Sequence, residues 1–175
     1  MRFFGMLSVA IFFLGVFIST LFNPWFDLSK HTFSKLGNQN LASKPWIFSL
    51  FVSIGGAFMT IYGIYIVSRS KGKLEIVGGT YVLTSGVFMT LVGIFPDGTK
   101  PHDFIAFMTF YLFYIGTTIY GLGSRSKLVK IIPVLVLMTA ISVTVKNPFP
   151  SLGYLELFGL ALVVMDLIVL SQVVK

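Results

Sequence analysis

Along this chain, long unbroken apolar runs alternate with short polar stretches. The runs fall at 4–22, 46–67, 76–95, 104–122, 129–145 and 154–173. A helix of about 20 largely apolar residues crosses the roughly 30 Å hydrocarbon layer, and each run approaches or reaches that length. None alternates with the period of two that a strand of a membrane barrel shows. The pattern predicts an all-α fold, a polytopic bundle of six transmembrane helices forming a single domain over residues 1–175. Pro133 falls in the first turn of the fifth run, where a helix tolerates proline. The first run follows Met1-Arg2 like a signal peptide. It has no small-x-small cleavage site near Ile18-Ser19-Thr20 and reads as an uncleaved span.

Charge orients the bundle. Arg69, Lys71, Lys73, Arg125, Lys127 and Lys130 lie in loops 68–75 and 123–130, and with Arg2 and Lys175 they put eight basic residues on one side. The other side has five (Lys30, Lys35, Lys44, Lys100, Lys146), spread over nearly twice as much loop. Cytoplasmic loops are the ones enriched in Lys and Arg, so both termini are expected in the cytoplasm of a cell-membrane protein, with loop 23–45 outside. Only 11% of residues are charged and 55% are hydrophobic. Soluble domains carry about 25% charged residues, so membrane lipid is the expected surrounding. The formal charge of +7 comes in short clusters between apolar runs, and no nucleic-acid partner is expected. There is no cysteine, which excludes disulfides, thiolate metal sites and cysteine nucleophiles.

Small residues recur every seventh position: Gly79, Gly86 and Gly93 in the third run, Gly56 and Gly63 in the second, Ser8 and Gly15 in the first. A seven-residue stripe keeps one side of a helix toward a left-handed neighbour. Small residues there let backbones approach, which is how membrane helices associate. Ser68-Arg69-Ser70-Lys71 recurs as Ser124-Arg125-Ser126-Lys127, each after Ile-Tyr-Gly, and Phe-Pro follows each next helix at Phe95-Pro96 and Phe149-Pro150. The recurrence reads either as a duplicated hairpin or as two independently basic turns.

Ser34-Lys35-Leu36-Gly37, followed by Lys44-Pro45-Trp46-Ile47-Phe48 opening a span, is one distinctive stretch. Another is Gly93-Ile94-Phe95-Pro96-Asp97-Gly98, with His102 and Ala106 beyond it. Together they resemble the prokaryotic six-helix membrane family catalogued as "domain of unknown function 998", most specifically in the Gly-Ile-Phe-Pro turn with a histidine opening the next helix. The residue before Leu36 is often acidic in that pattern; here it is Lys35. The resemblance implies a six-helix fold over nearly the whole chain and brings no activity.

Both histidines and four of the six acids fall at the outer face: His31, His102, Asp27, Asp97, Asp103 and Glu156. In loop 1, Asp27, His31, Ser34 and Lys35 follow helical spacing, with Trp25, Phe26, Phe33 and Leu36 between them. This predicts a short amphipathic helix lying in the interface, aromatics toward the acyl chains. A ligand site is expected from Asp27, His31, Lys35, Asp97, His102, Asp103 and Glu156, for a polar lipid headgroup or similar small molecule. Lys30, Lys35 and Lys100 are suited to a phosphate. Asp27, His31, His102 and Asp103 are candidate ligands for a divalent metal such as zinc, which takes His nitrogen and carboxylate oxygen; no other cofactor is expected. The bland alternative is solvated interfacial residues, with His102 and Asp103 at the positive end of helix 4. No serine sits in a recognisable nucleophile turn, and no catalytic residue is assigned.

Asp166 lies roughly 20 Å below the outer surface at 1.5 Å per residue. An acid at that depth faces the bundle interior, with Tyr62, Tyr81, Thr84, Thr117 and Tyr120 as candidate partners. It reads as a proton or cation relay or as a polar clamp between helices. Three functions follow: binding or processing at the outer face, proton- or cation-linked transport through Asp166, or an accessory subunit packing on other membrane proteins or on itself.

Overall fold

A computed structural model describes residues 3–172. Six α-helices follow one another: α1 (Phe4–Phe22), α2 (Pro45–Arg69), α3 (Lys73–Ile94), α4 (His102–Gly123), α5 (Lys127–Lys146) and α6 (Leu152–Ser171). They coincide with the six predicted runs, and no strand occurs among the described residues. All six are long and apolar enough to cross a membrane, so the chain is a multi-pass membrane protein. Arg2 and Lys175, counted above in the charge asymmetry, and Val173 of the sixth run lie outside the described residues.

The helix ends follow from local chemistry. Pro45 opens α2, where its missing N–H costs nothing. At α3 the Glu75 carboxylate reaches back to accept from the N–H groups of Lys71 (2.7 Å) and Gly72 (3.0 Å). Ser151 Oγ accepts from Tyr154 N at the start of α6. α5 ends at Asn147 in the left-handed region (φ 39°).

Glycine sets the helix spacing. A Cβ on Gly86 would collide with the Thr60 and Met59 backbone, one on Gly56 with Thr90, and one on Gly63 with Leu83. The seven-residue stripes of α2 and α3 therefore face each other, backbone to backbone. Gly15 likewise meets Phe51 of α2. A second seam, between Gly78 of α3 and Gly116 of α4, lies outside the stripe that the sequence suggested. Gly5 packs on Tyr62 and Leu167, so the start of α1 adjoins the end of α6. Both described ends of the chain lie on one face, and loop 1 on the other.

The α4–α5 hairpin is built differently. Near the termini face Gly121 touches the Val129 carbonyl, and Thr118 Oγ1 donates to Pro133 O (3.1 Å). The buried residues of α5 are Val129, Pro133 and Val136, all in that half. Toward the loop-1 face the two helices part.

Candidate functional site

Loop 1 is a strapped cap. Asn23, almost fully buried, donates from Nδ2 to Ser19 O (2.8 Å), while its Oδ1 accepts from Trp25 Nε1 (3.1 Å) and Ser43 N (2.8 Å). One amide thus ties the two ends of the loop together. The predicted amphipathic helix over Asp27–Lys35 does not form. Ser29 N and Oγ both bond Asp27 Oδ1 (2.9 and 2.7 Å), a side-chain turn that competes with helix. Thr32 is extended, and only the 3-10 helix Phe33–Gly37 follows. Phe33 and Leu36 turn inward rather than toward lipid. Leu36 is fully buried, and the pair packs on Phe12, Phe48, Val52 and Leu160.

Two polar straps hold the cap down. Glu156 Oε2 accepts from Phe33 N (2.7 Å), and Ser151 Oγ donates to Leu28 O (2.7 Å), fastening the cap to α6. Gly153 permits this approach, since a side chain there would strike the Leu28 and His31 carbonyls. On the other flank Lys35 Nζ lies 3.0 and 3.2 Å from the Asp97 oxygens, and Asn38 Nδ2 donates to the same carboxylate. Burial alone would raise the Asp97 carboxyl, but the Asn38 and Lys35 hydrogen bonds outweigh it and hold the group below its ordinary value of 3.8. Gly98 supplies the positive φ (90°) that turns the chain between α3 and α4.

His102 opens α4 and is 3% exposed. Its Nδ1 lies 2.8 Å from Phe95 O. A carbonyl only accepts, so Nδ1 carries the hydrogen, and Nε2 has no partner among the described residues. Asp103 beside it is exposed. Ligand atoms of Asp97, His102 and Asp103 lie within 4.8 Å of one another. The four-residue metal set needs correction, because Asp27 and His31 are not in this group. Asp27 is held by Ser29 and paired with Lys30 (3.4 Å). His31 Nδ1 accepts from Asp27 N (3.3 Å), and its ring sits edge-on to Trp25. The cause is the turn at Asp27–His31, which closes on itself instead of presenting one helical face. In the remaining group both Asp97 oxygens are taken, and Lys35 already stands where a cation would.

Two cavities meet beneath the cap. A cleft of about 740 Å³ runs between α4, α5 and α6. Lys35, Asp97, His102, Asp103 and Glu156 gather at its mouth, and Phe110, Tyr111, Leu137, Ile141 and Leu162 form apolar walls. On α4 it extends from His102 to Tyr114, about 18 Å at 1.5 Å per residue. A smaller chamber of about 100 Å³ lies inside the bundle, with Met59, Phe113 and Val163 as its deepest residues on α2, α4 and α6. Ser34, His102, Ala106, Phe110 and Glu156 border both. Of the predicted ligand residues, Lys35, Asp97, His102, Asp103 and Glu156 converge; Asp27 and His31 remain within the cap. Asn38, which completes the Asp97 strap, and Asn23 were missed. For Asn23 the legible signal was an amide bordering an apolar run; Asn38, in Gly37-Asn38-Gln39-Asn40, carried none.

Asp166 has no solvent exposure. Its Oδ2 accepts from Thr117 Oγ1 (2.7 Å), joining α6 to α4. Its Oδ1 and the Tyr62 hydroxyl have no hydrogen bond among the described residues. Asp166 follows Val163, the deepest α6 residue lining the chamber, by three residues, and itself lines neither cavity.

The architecture defines a class of protein, a six-span membrane bundle with a capped polar mouth leading into an apolar cleft. The chain belongs to the family described as "Protein of unknown function (DUF998)", whose model matches residues 6–173. Comparison with curated proteins and with solved structures yields no match.

Proposed function

We propose that this protein binds an amphiphile from the membrane, its headgroup at the mouth formed by Lys35, Asp97, His102, Asp103 and Glu156 and an acyl chain in the α4–α5–α6 cleft. The carrying observation is the cleft's shape and polarity. A space of about 740 Å³ falls within the roughly 300–1,000 Å³ of small-molecule sites. Its reach of about 18 Å is close to one leaflet, half of the roughly 30 Å hydrocarbon layer. Polar groups occupy one end and apolar walls the rest, which is the polarity of a lipid lying along the membrane normal. The rims are formed by Phe107 and Tyr111 on α4 and Ile141 and Val145 on α5, all exposed on the lipid-facing surface. The positive-inside asymmetry supports reading this mouth as extracytoplasmic and the membrane as the cell membrane. The Lys35–Asp97 pair favours a headgroup over a metal ion, because the ammonium already balances the one carboxylate that is fully engaged. Asp166 lines neither cavity and is bonded to Thr117 of α4, which favours a clamp over a conduction path.

The test uses a lipid carrying a fluorescent acyl chain and the purified protein in detergent. Ala140→Trp and Gly159→Phe both fill the cleft from different helices. Each is expected to abolish binding while a melting curve shows the fold retained. Unchanged affinity in both folded variants would remove the cleft as the binding site.

A further inference from the structure

The open hydrogen-bonding valences at the mouth define the headgroup's chemistry. Lys35 is already matched by Asp97, with both carboxylate oxygens engaged. Lys100, the other nearby cation, does not line the cleft. The groups left over differ in character. The Asp103 carboxylate makes no hydrogen bond within the described residues. Glu156 uses Oε2 for Phe33 N and leaves Oε1 open. His102 commits Nδ1 to Phe95 O and leaves Nε2 open, on a ring that is 3% exposed yet borders both cavities. Carboxylate oxygens only accept, and Nε2 accepts when the ring's one hydrogen sits on Nδ1. The Thr32 and Ser34 hydroxyls also line the mouth and bond each other, leaving one O–H uncommitted; they carry no charge, so an anionic headgroup would meet carboxylates with no unpaired cation beside them.

Building on the amphiphile reading above, we infer that the headgroup carries a primary ammonium, held by the Asp103 carboxylate with one N–H toward His102, in a cleft that Glu156 also lines. Spacing agrees with this. Two acceptors each about 2.8 Å from a tetrahedral nitrogen stand about 4.6 Å apart. A ring nitrogen of His102 and a carboxylate oxygen of Asp103 lie within 4.8 Å of each other. A quaternary ammonium has the charge but no N–H to give. A glycerol headgroup can donate its hydroxyls to the same acceptors but brings no positive charge to offset the carboxylates.

The experiment displaces the chain-labelled lipid with phosphatidylethanolamine, phosphatidylcholine and phosphatidylglycerol of matched chains. Phosphatidylethanolamine should bind about tenfold tighter than the other two, the scale of one charge-assisted hydrogen bond. Asp103→Asn, at an exposed position, and Glu156→Gln, which keeps an oxygen for Phe33 N, should each reduce that preference while retaining the melting temperature. Equal affinity for ethanolamine and choline lipids would overturn the N–H donation. Tighter binding of phosphatidylglycerol would overturn the ammonium itself. In both cases the cleft would remain an amphiphile site. Failure of every lipid to displace the label would instead refute the reading on which this inference rests.

Discussion

Replacing Gly86 by alanine puts the glycine packing to a quantitative test. Two effects oppose each other. Alanine in a helix interior is favoured over glycine by about 1 kcal/mol. Against that, the new methyl would stand 2.7 Å from Thr60 Oγ1 and 2.8 Å from the Met59 carbonyl carbon, and still closer to the Thr60 backbone nitrogen. Backbone cannot rotate aside as a side-chain tip can, so α2 and α3 must separate. Overpacking of this kind costs about 1–3 kcal/mol, leaving a net loss of about 1 kcal/mol at the middle of that range after the propensity gain and about 2 kcal/mol at its upper end. At about 2–4 °C per kcal/mol for a chain of this size, the melting temperature should fall by about 4 °C. Gly159→Ala is the control. Its methyl would meet nothing nearer than the Tyr114 hydroxyl at 3.4 Å, so the propensity gain stands alone and melting should rise by about 2 °C. Fluorescence-monitored melting in one detergent compares the two. If both shift the same way, the α2–α3 seam is not limited by backbone contact and the reasoning fails.

Thr117→Val removes the one side-chain hydrogen bond that Asp166 makes among the described residues and should destabilise the bundle by about 1–3 kcal/mol, whereas Thr117→Ser should restore most of it; equal melting of the two variants would show that this bond carries no stability. The Asp97 carboxyl is held below 3.8, so its contribution is complete above that value and is lost as pH falls through the lower folded value. Melting curves of the native protein and Asp97→Asn, recorded from pH 6 to pH 3, should therefore converge on the acid side, and parallel curves would contradict the strap. Because the chain has no cysteine, Lys44→Cys and Lys71→Cys report sidedness without background. A membrane-impermeant maleimide added to intact cells should label position 44 and spare 71, and the reverse pattern would invert the topology.

The six helices were legible because each apolar run is long and continuous, and lipid leaves a chain no other way to satisfy its backbone. The α2–α3 seam was legible for a similar reason, since Gly56, Gly63, Gly79, Gly86 and Gly93 keep one register over several turns. Gly78 and Gly116 share no such register, and their contact depends on how α4 is placed. Loop 1 misled for a local reason. Asp27, His31 and Lys35 have helical spacing, but Ser29 bonds the Asp27 side chain and closes a turn first. Once the turn forms, His31 stays with Trp25 while Lys35 is carried to Asp97, so five of the seven candidate residues stay together and Asp27 and His31 do not. The cleft could not be read at all. It arises from the parting of α4 and α5, two spans whose apolar composition is the same whether they touch or not.

The straps from Glu156, Ser151 and Asp97 hold the cap on the end of the bundle, while the cleft's rims on α4 and α5 face sideways. A ligand reaching this site by that flank never crosses bulk water. Occupancy is then governed by the ligand's mole fraction in one leaflet, not by its aqueous concentration. A ligand nearly insoluble in water would then be at no disadvantage to a more soluble one of equal abundance in that leaflet, and affinities measured in detergent would convert to the cell only through lipid composition.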